Sequence, residues 1–153
     1  MKPKKLADFE LLMLEKSDSL KTNQWVYQLL RTNLLCGKIE PGLPLTIRGL
    51  AEALNVSPMP VREALHRLAC EGAVEVKNNR RVIVPQMTVE KFNELCELRI
   101  LLETHAAEGA SPYIREQHIT QLQEIDARID SAIKRGDSVN ISLINQEFHR
   151  TLY

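Results

Sequence analysis

A mainly α protein is predicted, with an N-terminal winged helix-turn-helix of three helices and a β-hairpin, then an all-helical, antiparallel bundle-like domain. Three observations carry this. A proline-capped amphipathic helix begins at Ser57, just after a shorter helix and an Asn55 turn. Two β-branched runs flank an Asn-Asn pair between Val74 and Pro85. Beyond Pro85 the pattern is purely helical. The 153 residues suit two small domains, with an arm at 1–21, a winged unit at 22–85 and a helical domain at 86–153.

The arm is polar apart from Leu6, Phe9, Leu11, Met13 and Leu14, a short stretch that suits either a docking helix or a loose segment. Thr22 is the expected N-cap of the first strong helix, which runs to about Cys36. Val26, Leu29, Leu30, Asn33 and Leu34 give its period, and Gly37 suits a left-handed stop. Glu40-Pro41-Gly42 reads as a turn. The second helix starts after Thr46, with Ile47, Leu50, Ala51 and Leu54 inward, and Asn55 tolerates the left-handed turn that follows. In the third, Val61, Ala64, Leu65 and Leu68 form one buried stripe, while Pro58 suits the first helical position and Pro60 still lies in the first turn. It ends near Gly72. Lys77, Arg80 and Arg81 surround Asn78 and Asn79 at the hairpin tip, which makes the wing cationic.

Thr88 caps a long helix containing Phe92, Leu95, Leu98, Leu102 and Ala106. A second follows from about Pro112, with Ile119, Leu122, Ile125, Ile129 and Ile133 inward and Gly136 as its stop. A third starts near Asp137 and carries Ile141, Ile144, Phe148 and Leu152 to the last residue.

Net charge is zero, but its distribution is uneven. Residues 1–85 hold 13 basic and 9 acidic side chains, while residues 86–153 hold 7 and 11. A basic module joined to an acidic one suggests nucleic acid as the partner of the first. No apolar run is long enough for a membrane span and no signal core follows Met1, so the expectation is a cytoplasmic protein without a membrane partner. Cys36, Cys70 and Cys96 are widely spaced within helices, which reads as reduced thiols, and the lack of a CxxC excludes a zinc finger. There is no glycine-rich phosphate loop, nucleophile–base signature or coherent carboxylate pair, so an enzyme is not expected.

A recognition helix presents donors from its first turns to base edges in the major groove. That assigns double-stranded DNA to Pro58, Met59, Arg62 and His66 opposite the buried stripe. Arg62 suits bidentate contact with guanine, and Ser57 reaches a phosphate. Arg48 lies near the same helix start, and Lys77, Asn78, Asn79 and Arg80 extend the footprint to the backbone or minor groove. For a lone helix the simpler reading of Arg62 is a solvated surface charge. The helix pair, proline start and cationic wing together favour the reader.

Pro41-Gly42, Leu45, Arg48-Gly49-Leu50-Ala51-Glu52, Val56-Ser57, Pro60-Val61-Arg62-Glu63-Ala64-Leu65 and Arg67-Leu68 resemble the N-terminal domain of GntR-family bacterial transcription regulators. Glu97-Leu98-Arg99, Leu102-Glu103 and Phe148-His149 are similar to the FCD-type helical domain of the FadR subgroup. The resemblance implies a regulator, commonly a repressor, bound as a homodimer to a short palindromic operator and answering to a small carboxylic acid through the effector-binding and dimerisation domain. It implies that Arg48 and Arg62 contact bases and phosphates. Pro58 departs from the family pattern, where many members carry arginine, which changes one base contact.

Two sites in the helical part have competing readings. Asn145 and His149 share a helix face, and the resemblance implies a divalent metal such as zinc held there with two further histidines from later helices. Those positions lie beyond Tyr153, so the metal and effector set is incomplete in this chain, and a hydrogen-bonded or exposed histidine is the simpler reading. Arg99 is a candidate to hold an effector carboxylate, against an internal ion pair with Glu103. The alternatives to a working regulator are a truncated relic or dominant-negative fragment with a functional reader and no effector pocket, or a winged-helix protein-interaction module.

Overall fold

The computed structural model describes residues 11–77 and 81–153, which fall into two compact units, Met1–Gln86 and Met87–Tyr153. In the first unit, α1 (Thr22–Leu35), α2 (Ile47–Ala53) and α3 (Pro58–Cys70) enclose one apolar core. It is built from Val26, Leu29 and Leu30 of α1, Leu50 and Ala51 of α2, and Val61, Ala64, Leu65 and Leu68 of α3. These are the stripes expected from the 3.6-residue period, and each fully buried Leu or Val contributes about 1.5–3 kcal/mol.

The termini of these helices differ from one another. Lys21, not Thr22, occupies the N-cap of α1 without a side-chain cap, and the Thr22 hydroxyl instead accepts from Lys16 Nζ at 2.8 Å. Thr46, after which α2 was expected to begin, caps it, its Oγ1 accepting from the Gly49 N–H at 3.1 Å. Gly49 is needed there for space: a Cβ would lie 2.8 Å from that hydroxyl oxygen. Asn55, at φ 51°, makes the left-handed turn between α2 and α3, and the Val56 N–H returns to the Ala51 carbonyl at 3.0 Å.

One strand was not expected. β1 (Pro44–Leu45), β2 (Glu75–Val76) and β3 (Val82–Ile83) form an antiparallel sheet in the order β1-β3-β2. Leu45 pairs with Val82 and Val76 with the same Val82 on its other side. The hairpin of the wing is thus stitched to the segment before α2. Gly42, at φ 79°, helps by donating its N–H to the Val84 carbonyl at 2.8 Å. Two residues are too few for alternation to show in sequence, and Pro44 argues against a strand except at an edge, where β1 lies.

Residues 11–20 form a docked segment with no helix among residues 11–17. Leu11, Leu14 and Leu20 lie half-buried on the core. Trp25 Nε1 donates to the Leu14 carbonyl at 2.9 Å. Asn33, fully buried, bonds the Leu12 backbone and also donates to the Leu29 carbonyl at 2.8 Å. No described buried side-chain polar atom is left without a partner. Residues 1–10, with Leu6 and Phe9, lie outside the described residues.

In the second unit, α4 (Val89–Ala110) is capped by Thr88, whose hydroxyl accepts from the Lys91 N–H at 3.2 Å. A single 3₁₀ turn, Ser111–Tyr113, separates it from α5 (Glu116–Lys134), so that helix starts four residues later than Pro112. Gly136, at φ 66°, reverses the chain into α6 (Ser138–Leu152), capped by Asp137. Ile125, Ala132 and Ile144 are buried between α5 and α6, with Ile129, Ile141 and Phe148 around them. Arg128 closes the pair with two bonds to the Glu147 carboxylate, at 2.8 and 2.9 Å. Ile119 and Ile133 were expected inward but are exposed. The packed stripe runs through Ile125 and Ala132; Ile133 sits about a quarter-turn to its side and Ile119 about a third of a turn.

Candidate nucleic-acid interface

The face of α3 that meets solvent is set by the face that does not. With Val61, Ala64, Leu65 and Leu68 held at 3% exposure or less, Met59, Arg62, Glu63, His66 and Cys70 follow at i, i+3, i+4, i+7 and i+11 as one outward stripe. All five are exposed. Rotating α3 to hide them would expose its core leucines, so the packing fixes their presentation.

The start of α3 is unusual in its donors. Pro58 at the first position and Pro60 at the third remove two N–H groups that a helix end ordinarily offers. The Ser57 hydroxyl, expected as a polar cap, makes no cap hydrogen bond. Pro60 removes the N–H of the third position, one of the two that a capping hydroxyl would accept from. Arg48, in the first turn of α2, is exposed as well.

The wing contributes unevenly. Its strands are closed by the Lys77 N–H donating to the Arg81 carbonyl at 2.8 Å. The Lys77 ammonium lies 2.6 Å from the Glu75 carboxylate, an exposed pair that a phosphate can compete for. Asn78, Asn79 and Arg80 lie outside the described residues.

Three polar contacts on this unit escaped the sequence. Asn23 Nδ2 on α1 donates to Glu63 Oε2 at 2.8 Å, drawing the one acid of the outward stripe toward α1. Tyr27 donates its hydroxyl to Glu71 at 2.8 Å while the Arg67 guanidinium stacks 3.8 Å from the Tyr27 ring centre. Glu71 is held below the ordinary carboxylate range first by the Tyr27 hydroxyl, then by Arg67 and the charge of Arg31. Only the i,i+4 spacing of Arg67 and Glu71 (3.1 Å) was legible locally. On the stripe itself, Cys70 Sγ lies 3.9 Å from His66 Nδ1.

The second unit holds the remaining candidates. Arg99 bonds Glu103 at 2.8 Å, the internal pair, and that pair is exposed rather than buried. Asn145 is exposed, and His149 Nδ1 is 2.8 Å from the Tyr153 hydroxyl. Among the described residues no group of three His, Cys, Asp or Glu side chains converges to hold a metal ion. Asn145 and His149 alone do not fit a metal, which needs more donors than two. No helix among the described residues is long and apolar enough to cross a membrane.

Comparison with known proteins follows the same division. Residues 22–84 match the model for bacterial regulatory proteins of the gntR family, and residues 94–153 match the FCD domain. The HTH-type transcriptional regulator McbR of Escherichia coli K12 is 32% identical over 81% of this chain and 56% of its own length. Its solved structure superposes with a TM-score of 0.78 at 30% identity, covering 88% of this chain and 63% of that one. The gluconate operon transcriptional repressor of Bacillus subtilis is 30% identical over 92% of this chain and 61% of its own. A putative GntR regulator from Rhodococcus sp. RHA1 superposes with a TM-score of 0.69 at 27% identity, over 85% of this chain and 62% of that one. The chain thus spans less than two thirds of the length of these relatives.

Proposed function

The chain belongs to the GntR family of bacterial regulatory proteins, and from that premise we propose that it is a sequence-specific DNA-binding transcription regulator. We take it to be a ligand-responsive repressor that binds a short palindromic operator as a dimer. The observation that carries the reading is the outward stripe of α3. Arg62 and His66 stand exposed opposite a fully buried stripe, and Arg48 stands exposed in the first turn of the preceding helix.

In this reading Arg62 donates to guanine O6 and N7, a bidentate contact that discriminates by about 1–3 kcal/mol. The Ser57 hydroxyl, Arg48 and Lys77 hold phosphates and set register. The wing's Asn78, Asn79 and Arg80 extend the footprint along the groove. An effector, a small carboxylic acid, acts only by binding one spacing of the two readers better than another. If Arg99 is its anchor, that acid must displace Glu103, which already holds the guanidinium.

Selection of duplexes from a random pool with the full chain tests this, followed by titration at two salt concentrations with wild type and Arg62→Ala. A palindrome that binds less tightly in higher salt, and less tightly still to the variant, supports a dimeric reader. A single half-site separates reading from pairing. No enrichment, with Arg62 immaterial, overturns the proposal in favour of a protein-interaction module.

A further inference from the structure

We propose that Met59 reads the 5-methyl group of a thymine, so that the operator carries a thymine at a fixed step beside the base contacted by Arg62. The inference rests on the regulator reading above and adds to it the chemistry of one contact.

The geometry singles out Met59 among the apolar side chains of the first unit. It lies at the second position of α3, 59% exposed, on the outward stripe one turn before Arg62. The buried stripe on the opposite side leaves it no route into the core. Beside it Pro58 is exposed and, like Pro60, carries no N–H. The leading turn of the recognition helix is therefore poor in donors and presents a flexible, polarisable apolar side chain where base edges are read. In the major groove three of the four bases show only donors and acceptors at their edges, and thymine alone adds a methyl group. An apolar tip placed against a donor or acceptor would leave that group unpaired at a cost. Against the thymine methyl, the same tip buries apolar surface on both sides.

The test uses the full chain and the tightest duplex selected from a random pool. Each thymine in turn is replaced by deoxyuridine, which keeps the base pair and removes only the methyl. Wild type is expected to lose about fourfold in affinity at one thymine per half-site, the effect of one buried methyl. Met59→Ala is expected to bind the thymine and uracil forms of that position alike, with an unchanged melting temperature because the side chain lies outside the core. A wild type indifferent to uracil at every position overturns the inference, as does a selected half-site lacking thymine or full discrimination by Met59→Ala. If Arg62→Ala still weakens binding in those cases, methyl readout alone fails and the regulator reading stands. If no duplex is selected, or Arg62→Ala has no effect, the regulator reading itself fails.

Discussion

Asn33 clasps Leu12 at both of its backbone polar atoms: Oδ1 accepts from the Leu12 N–H at 2.7 Å and Nδ2 donates to the Leu12 carbonyl at 3.0 Å. One amide thus replaces the two ladder bonds that a neighbouring strand would supply, and it ties a segment 21 residues away to the last turn of α1.

Asn33→Leu keeps the branched outline and removes the clasp, leaving two backbone groups without partners. We expect a loss of about 2 kcal/mol from the first unit, measured by denaturant melting, together with faster hydrogen exchange at the Leu12 amide. An unchanged midpoint and unchanged protection would mean that the leucines alone hold the arm.

Thr46 and Gly49 act as one device, because the cap occupies the space a Cβ would need. Thr46→Ala is expected to cost about 1 kcal/mol. Gly49→Ala in the native background gains helix propensity and loses the cap, for little net change. In the Thr46→Ala background it should stabilise by about 0.8–1 kcal/mol, since only the propensity remains. Additive melting data from the four proteins would refute this coupling.

Asn23 restrains the only acid on the reading stripe. Asn23→Ala releases the Glu63 carboxylate and is expected to weaken DNA binding severalfold at low salt, with less effect as salt rises. Adding Glu63→Gln should recover the lost affinity. If the single and double variants titrate identically, the restraint has no bearing on DNA.

The Arg128–Glu147 pair gives the second unit a pH signature. Hydrogen bonding from Arg128 holds the Glu147 carboxyl below its ordinary value of 4.5. A depressed carboxylate stabilises the fold fully above the unfolded value and loses that contribution as pH falls through the folded one. The difference in melting temperature between wild type and Glu147→Gln should hold level from pH 7 to 5 and shrink below about pH 4.5. A difference that persists to pH 3 would exclude the ion pair as its source.

What the sequence showed well was periodicity. The buried stripes of α1, α2 and α3, the helix starts after Thr46 and near Asp137 and the Asn55 turn all follow from residue type at a local spacing. The exposure of Arg62 and His66 followed from the same arithmetic. The contacts that remained hidden join distant positions: Asn33 to Leu12, Asn23 to Glu63, Tyr27 to Glu71, and Leu45 to Val82. Periodicity marked Asn33 as inward-facing but held no information about which backbone its amide would satisfy. In α5 the inward set was overdrawn, because the apolar arc is wider than the single helix packed against it.

The 22-residue α4 has no buried side chain, although Phe92, Leu98, Ile100, Leu101 and Leu102 are more than half exposed. Only Cys96, Glu103, Ala106, Ala107 and Ala110 are half-buried, so its own backbone bonds, the Thr88 cap and the Arg99–Glu103 pair carry much of its stability. Its amides are expected to exchange through local fraying faster than those of α3, a difference that hydrogen exchange reads directly.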